Sequence, residues 1–175
     1  MTRVWLTAAV LFLFTLEGTV VQVISPTTWG LSWLAVPRFA LVAIVLIAML
    51  LGRREGLYYG LVFGFLQDVL FGDVIGIYMV TMAMAAYFSG LIVLLFQRGF
   101  GMIFVTSLLV LFGHEWLLYS LFRLFTAAPE DVRWIVIQQI LPTVGLNAVV
   151  AIVAYVPFRN MCRKIEAKRE VPSME

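Results

Sequence analysis

The stretch that decides the fold runs from Gly56 to Gly76, with the sequence GLYYGLVFGFLQDVLFGDVIG. Glycine or aspartate recurs at every fourth residue of this stretch, at Gly56, Gly60, Gly64, Asp68 and Gly72. Residues four apart lie on one side of an α-helix, so these five positions form one stripe. Four of them have no side chain and the fifth carries a charge, and neither favours contact with lipid. The stripe is therefore predicted to pack against protein.

The composition around this stretch is that of a membrane protein. Of the 175 residues, 63% are hydrophobic and 13% are charged, whereas soluble domains are roughly half apolar and about a quarter charged. Several apolar runs reach the roughly 18–20 residues that a bilayer crossing requires. No stretch is polar enough to fold as a soluble domain, so residues 1–175 are predicted to form a single integral-membrane domain. The single cysteine, Cys162, excludes an intramolecular disulfide framework.

The apolar runs predict an all-α polytopic protein, a compact bundle of about six transmembrane helices. The expected spans are 4–24, 37–51, 57–71, 75–96, 102–125 and 134–157, followed by a basic cytoplasmic tail over 158–175. The second and third spans are short for a perpendicular crossing of roughly 30 Å. The third could be partly re-entrant, which is permitted where protein covers the backbone.

The basic residues predict the orientation of these spans. With six spans and both termini inside, nine of the twelve Lys and Arg residues fall in cytoplasmic segments, namely Arg3, Arg53, Arg54, Arg98, Arg159, Arg163, Lys164, Lys168 and Arg169. The external segments keep Arg38 and Arg133, and Arg123 falls near the outer end of the fifth span. Because cytoplasmic loops carry an excess of Lys and Arg, both termini are predicted to lie in the cytoplasm.

Five ionisable residues fall within or near the spans, at Glu17, Asp68, His114, Glu115 and Arg123. Such residues usually face the bundle interior or a wet cavity. Glu17, Glu115 and Arg123 are the predicted buried polar residues, although Arg123 lies close enough to the outer end to snorkel. His114 has no second metal ligand at a suitable spacing, so neither a metal site nor a cofactor is predicted.

Glu115 lies near the middle of the fifth span, with Tyr119 and Arg123 following at steps of four residues. The rise of about 12 Å between Glu115 and Arg123 disfavours a direct pair on a straight helix. Glu115 is predicted to anchor helices or subunits through hydrogen bonds. A role in a proton-coupled carrier is the alternative, but the acids form no obvious relay.

Catalysis is the class with the least support. The sequence has no phosphate-binding glycine loop, no paired metal motif and no nucleophile beside a plausible base. Asp68 and Glu115 could meet across helices as an acid pair, but the residues around them lack any pattern typical of a protease. No catalytic residue is predicted.

One region resembles a known family. The pattern Gly60-x-x-x-Gly64-Phe65-x-x-Asp68-x-x-x-Gly72-x-x-x-Gly76-x-Tyr78, running on to Tyr87, resembles the signature region of the MreD family of bacterial rod-shape-determining membrane proteins. Three other features agree more loosely, namely Pro37-Arg38 at the start of the second span, Glu115 in the fifth, and Leu141-Pro142 in the last.

The resemblance implies a non-enzymatic subunit of the cell-elongation machinery in the bacterial inner membrane. It implies MreC as the direct partner, with MreB, RodA and the elongation transpeptidase in the wider assembly, and no nucleic acid. The helix-packing or partner-interface residues would be Gly56, Gly60, Gly64, Asp68, Gly72, Gly76 and Tyr78. The resemblance also implies a fold similar to that of the substrate-binding subunits of energy-coupling-factor transporters.

Two other functions stay open at this point. A vitamin-binding subunit of such a transporter would present polar and aromatic groups that converge near the outer face, and Asp68, Tyr78 and Glu115 could contribute to them. A proton-coupled permease would require an internal repeat or a pair of discontinuous helices, and no convincing repeat is visible.

Overall fold

The computed structural model describes residues 2–23, 35–96, 99–126 and 132–170. Over these ranges the chain forms helices and turns and contains no strand. The helices are α1 (Thr2–Val23), α2 (Phe39–Leu51), α3 (Arg53–Phe71), α4 (Ile77–Leu95), α5 (Phe100–Thr126) and α6, which comprises Val132–Ile135, a π-helical turn at Val136–Ile140 and Leu141–Glu170. The predicted all-α fold with six helices is confirmed.

Three of these helices are long and apolar enough to cross a bilayer, over Ile77–Leu95, Phe100–Phe125 and Val132–Ala167. The third helix is continuous from Arg53 to Phe71, and its 19 residues have a length of roughly 28 Å at 1.5 Å per residue. The second helix is apolar but has only 13 residues, a length of roughly 20 Å. The short length of α2 is explained by its position inside the bundle, where other helices surround it.

Helix α2 is the centre of the bundle. The ten consecutive residues from Ala40 to Met49 are all buried, as expected of a helix that is apolar on every side. It contacts α1, α3, α4, α5 and α6. The core around α2 therefore contains side chains from the helices that surround it, such as Leu6, Met82, Leu111 and Ala151.

The glycine stripe of α3 packs inside this bundle. A Cβ atom on Gly56 would overlap Ala48 of α2, and one on Gly64 would lie 2.6 Å from the Cα of Met79 in α4. A Cβ on Gly60 would similarly lie 2.9 Å from the Cα of Ala83. Such distances are shorter than real side chains allow, so only glycine lets the backbones of α3 and α4 approach this closely.

Two further glycines shape the turn between α3 and α4. The stripe was predicted to be helical as far as Gly72. Instead α3 stops at Phe71 and Gly72 lies in the turn, so Asp68 is the last helical member of the stripe. A Cβ on Gly72 would approach the carbonyl oxygen of Asp68 to 2.7 Å. Gly76 precedes α4 with φ of +106°, a left-handed conformation that glycine adopts at no steric cost.

Helix α6 changes its hydrogen-bond pattern where it meets Pro142. The N–H of Leu141 donates to the carbonyl of Val136, five residues earlier. Pro142 has no N–H and its ring would clash with the carbonyl four residues before it, so a regular α-helix is disfavoured there. The π-helical turn accommodates the proline without ending the helix. The helix then continues to Glu170, beyond the span predicted for it.

Candidate functional site: a buried polar cluster at the start of α2

The segment 35–38 enters the bundle in a non-helical conformation, with Pro37 and Arg38 buried. Non-helical backbone inside a membrane domain requires hydrogen-bond partners from the surrounding protein. Helix α6 supplies them. Val36 N–H donates to Thr143 Oγ1 at 3.1 Å, and Arg38 N–H donates to Asn147 Oδ1 at 2.7 Å. The Nδ2 group of Asn147 donates in turn to the carbonyl of Val36 at 3.0 Å.

Helix α1 supplies a cap for α2. The carboxyl of Glu17, which is 4% exposed, accepts from the backbone N–H of Ala40 at 3.0 Å and from Gln67 Nε2 at 3.1 Å. The first N–H groups of a helix have no partner within it, and Arg38 at the N-cap position gives α2 no side-chain cap. Glu17 fills this role from another helix and connects α1 to α3 through Gln67.

Arg38 forms a buried ion pair with Glu115. Its Nε donates to Glu115 Oε1 at 3.1 Å, and both side chains are less than a tenth exposed. The guanidinium carbon also lies 5.5 Å from the centre of the Tyr78 ring, within the range of a cation–π contact. Arg38 was counted with the external segments, and its burial inside the bundle was not predicted. Its side chain turns inward because Glu115 provides the opposite charge there.

Arg123 is exposed, so its prediction as a buried polar residue is wrong. Its Nη1 donates to Tyr119 Oη at 3.4 Å, one helical turn away. The position near the end of α5 lets the long side chain reach the surface of the bundle. Glu115 pairs with Arg38 instead, which agrees with the distance argument against a direct Glu115–Arg123 contact.

Asp68 has a capping role like that of Glu17. Its Oδ1 accepts from Tyr78 N–H at 2.8 Å, and its Oδ2 accepts from Met79 N–H at 2.9 Å. The residue is 1% exposed and holds the first turn of α4, where the helix dipole favours a negative charge. Asp68 and Glu115 thus engage different partners, and an acid pair of the protease type is not formed.

His114 is buried beside the cluster. Its Nδ1 lies 3.4 Å from Glu115 Oε1, but the two groups are poorly aligned and neither ring nitrogen makes a hydrogen bond. Proximity without alignment is a weak contact. Among the residues that the structure describes, no group of three His, Cys, Asp or Glu side chains could hold a metal ion.

Two cavities flank the ion pair, with volumes of about 240 Å³ and 220 Å³. Both are lined by Arg38, Tyr78 and Gln139. The larger cavity also contacts Glu17 and Gln67, and the smaller one contacts Glu115. The cluster is therefore partly hollow as well as tightly bonded.

Every helix contributes a group to this cluster, and several members were not predicted from the sequence. The side chains of the cluster are those of Glu17, Arg38, Gln67, Tyr78, Glu115, Thr143 and Asn147. Arg38 was predicted to lie at the external start of the second span without a buried partner, and Gln67, Thr143 and Asn147 were not among the predicted polar residues. A signal was present, because an acid in the middle of a span requires a compensating partner and Arg38 directly precedes an apolar run. A second such signal is Asn147, an asparagine near the middle of the predicted span 134–157.

Comparisons with known proteins agree with these features. A family model described as rod shape-determining protein MreD matches residues 2–165. The rod shape-determining protein MreD of Bacillus subtilis (strain 168) is 22% identical over 123 residues, which cover 70% of this chain and 72% of that protein. No solved structure was found to match, so the fold similarity to energy-coupling-factor subunits stays a prediction. Since the family model covers nearly the whole chain, the chain belongs to the MreD family of rod shape-determining proteins.

Proposed function

We propose that this protein is a non-enzymatic membrane subunit of the bacterial cell-elongation machinery, which acts with MreC to organise peptidoglycan synthesis and maintain cell shape. The observation that carries the proposal is the family match over residues 2–165. The site geometry supports it, because Glu17, Asp68 and Glu115 are engaged in capping and ion pairing between helices. These acids hold a scaffold together.

The outer surface of the bundle is where a partner's membrane segment would bind. Large apolar side chains are exposed along the helices, including Trp5 and Phe12 on α1 and Phe112 and Trp116 on α5. Membrane helices associate through close packing and interhelical hydrogen bonds. We propose that MreC contacts this surface directly, and that MreB, RodA and the elongation transpeptidase join in the wider assembly.

The proposed location is the cytoplasmic membrane, with both termini in the cytoplasm. The charge distribution of the sequence supports this orientation. The fold is consistent with it, because Arg3 in the first turn of α1 pairs with Glu55 in the first turn of α3 at 3.3 Å. Arg38 and Arg123 line one cavity. Arg38 also lines the other cavity with Gly18 and Phe71, which lie towards the opposite ends of α1 and α3. That end of the bundle is the external side in this orientation.

The test is purification of the tagged full-length chain from its native membrane in mild detergent, followed by mass spectrometry of the retained proteins. MreC and other elongation proteins are the expected result. An unrelated multi-pass protein with the same tag is the control. An ATPase module or a stoichiometric vitamin in place of MreC would overturn the proposal, and so would normal rod shape in cells from which the protein has been depleted.

A further inference from the structure

The larger cavity beside Arg38 combines opposite kinds of polar group. The guanidinium of Arg38 contributes to its wall, and so do the carboxyl of Glu17 and the amide of Gln67. Phe14 and Phe71 form apolar parts of the same wall. A volume of about 240 Å³ would hold roughly eight water molecules at about 30 Å³ each.

One acceptor in this wall has no partner. Gln67 is 4% exposed and its Nε2 donates to Glu17 Oε1. That bond fixes the orientation of the amide, because only the NH₂ group can donate to the carboxyl oxygen. Gln67 Oε1 is left buried without a hydrogen bond. A buried acceptor in this state favours a bound group that donates to it.

The π-helical turn of α6 places a second amide at the cavity. Gln139 lies within Val136–Ile140 and lines both cavities. Single π-helical turns occur frequently at functional sites. Gln138, its neighbour in the same turn, lines neither of the two cavities.

We propose that this cavity binds a small zwitterion of the size of an amino acid, an activity that goes beyond the scaffold function proposed above. The carboxylate of the ligand would accept from Arg38 and from the Nε2 group of Gln139, since both residues line the cavity. Its ammonium group would donate to Gln67 Oε1 and to the carboxyl oxygens of Glu17, each of which accepts one hydrogen bond from the protein and has a second lone pair. Phe14 and Phe71 would contact an apolar side chain.

The test uses the purified full-length protein in phosphatidylcholine nanodiscs, with unfolding followed by tryptophan fluorescence during heating. The probes are L-phenylalanine, phenethylamine, which lacks the carboxylate, and 3-phenylpropionate, which lacks the ammonium group. A ligand that binds only the folded state raises the unfolding temperature. L-Phenylalanine is expected to give a saturable rise, and each analogue to require an about tenfold higher concentration.

Two variants test whether the ligand binds in this cavity. Gln139→Leu is expected to abolish the response to L-phenylalanine, while Gln138→Leu in the same helical turn is expected to preserve it. The unfolding temperature without ligand shows whether each variant folds, and the analogue series on the unmodified protein needs no variant. The proposal is overturned if no probe raises the unfolding temperature, if all three act equally, or if Gln139→Leu responds like the unmodified protein.

Discussion

Glu17 and Asp68 perform the same structural task in two places. Each carboxyl accepts from the first turn of a helix other than its own: Glu17 from one backbone N–H group of α2, and Asp68 from two of α4. A capping residue normally lies next to the helix that it caps. Here the caps come from other helices, so they also fix how the helices are placed relative to one another.

The role of Asp68 can be tested by Asp68→Leu. The change leaves the N–H groups of Tyr78 and Met79 without acceptors, so we expect a loss of about 2 kcal/mol in the free energy of unfolding. Thermal or denaturant unfolding of the purified protein measures it. Asp73→Leu, in the exposed part of the same turn, is the control and should change stability by only about 0.5 kcal/mol. Equal losses in both variants would contradict the capping role.

The ion pair between Arg38 and Glu115 can be tested with a double-mutant cycle. Arg38→Met or Glu115→Leu alone leaves one buried charge unpaired, which should cost about 3–5 kcal/mol. The double variant should cost clearly less than the sum of the two single changes. Additive losses would show that the pair is not coupled.

The exposed pair of Arg3 and Glu55 provides the matched comparison for this cycle. The two side chains are 62% and 27% exposed and lie 3.3 Å apart. Solvent screens such a pair, so the same cycle should give a coupling of only about 0–1 kcal/mol.

Sequence reasoning found the acids of the cluster but not their partners. The cost of a charge in lipid makes Glu17, Asp68 and Glu115 conspicuous in an apolar run. Which group compensates each acid depends on how the first five helices pack, and the partners are in part backbone N–H groups, as at Ala40 and Tyr78. Backbone groups carry no sequence signal, so these contacts could not be predicted from residue types.

At the scale of the elements, the contact between α3 and α4 depends on the absence of side chains. Gly60 and Gly64 bring the backbone of α3 directly against Ala83 and Met79 of α4. The spacing of four residues predicted that one face of α3 packs against protein. It could not predict that Gly56 contacts α2 while the next two glycines contact α4, because that division depends on the angle between the helices.

Gly64→Ala tests this packing. The added methyl group would lie 2.6 Å from the Cα of Met79, so the helices must separate, and we expect a loss of about 1–3 kcal/mol in stability. Gly113→Ala is the control, because a Cβ at Gly113 of α5 meets nothing within 4 Å. That change should be neutral or stabilising by up to about 1 kcal/mol. If the two variants are equally stable, the close approach of α3 and α4 does not contribute to stability.

At the scale of the whole molecule, the charge distribution and the fold together specify a test of orientation. The single cysteine is a poor reporter, because Cys162 is 1% exposed and belongs to the core around α2. Asn160, two residues earlier on the same helix, is exposed. The useful protein is therefore Asn160→Cys in a Cys162→Ser background.

An impermeant maleimide is expected to label this cysteine only after the cells are permeabilised, since the end of α6 is predicted to be cytoplasmic. An Arg123→Cys variant in the same background is the comparison, because Arg123 is exposed near the end predicted to be external. It should be labelled in intact cells. The reverse pattern would invert the proposed orientation.

The enclosure of α2 has a consequence for the relation between this protein and its bilayer. A bilayer of unsuitable thickness acts on a helix through the side chains that meet lipid, and a short helix then tilts, thins the bilayer or oligomerises. The run from Ala40 to Met49 is buried by protein, so its short length produces no hydrophobic mismatch. We therefore expect the surrounding helices to absorb any difference in membrane thickness, and the ion pair at the start of α2 to keep its geometry in thick and thin membranes alike.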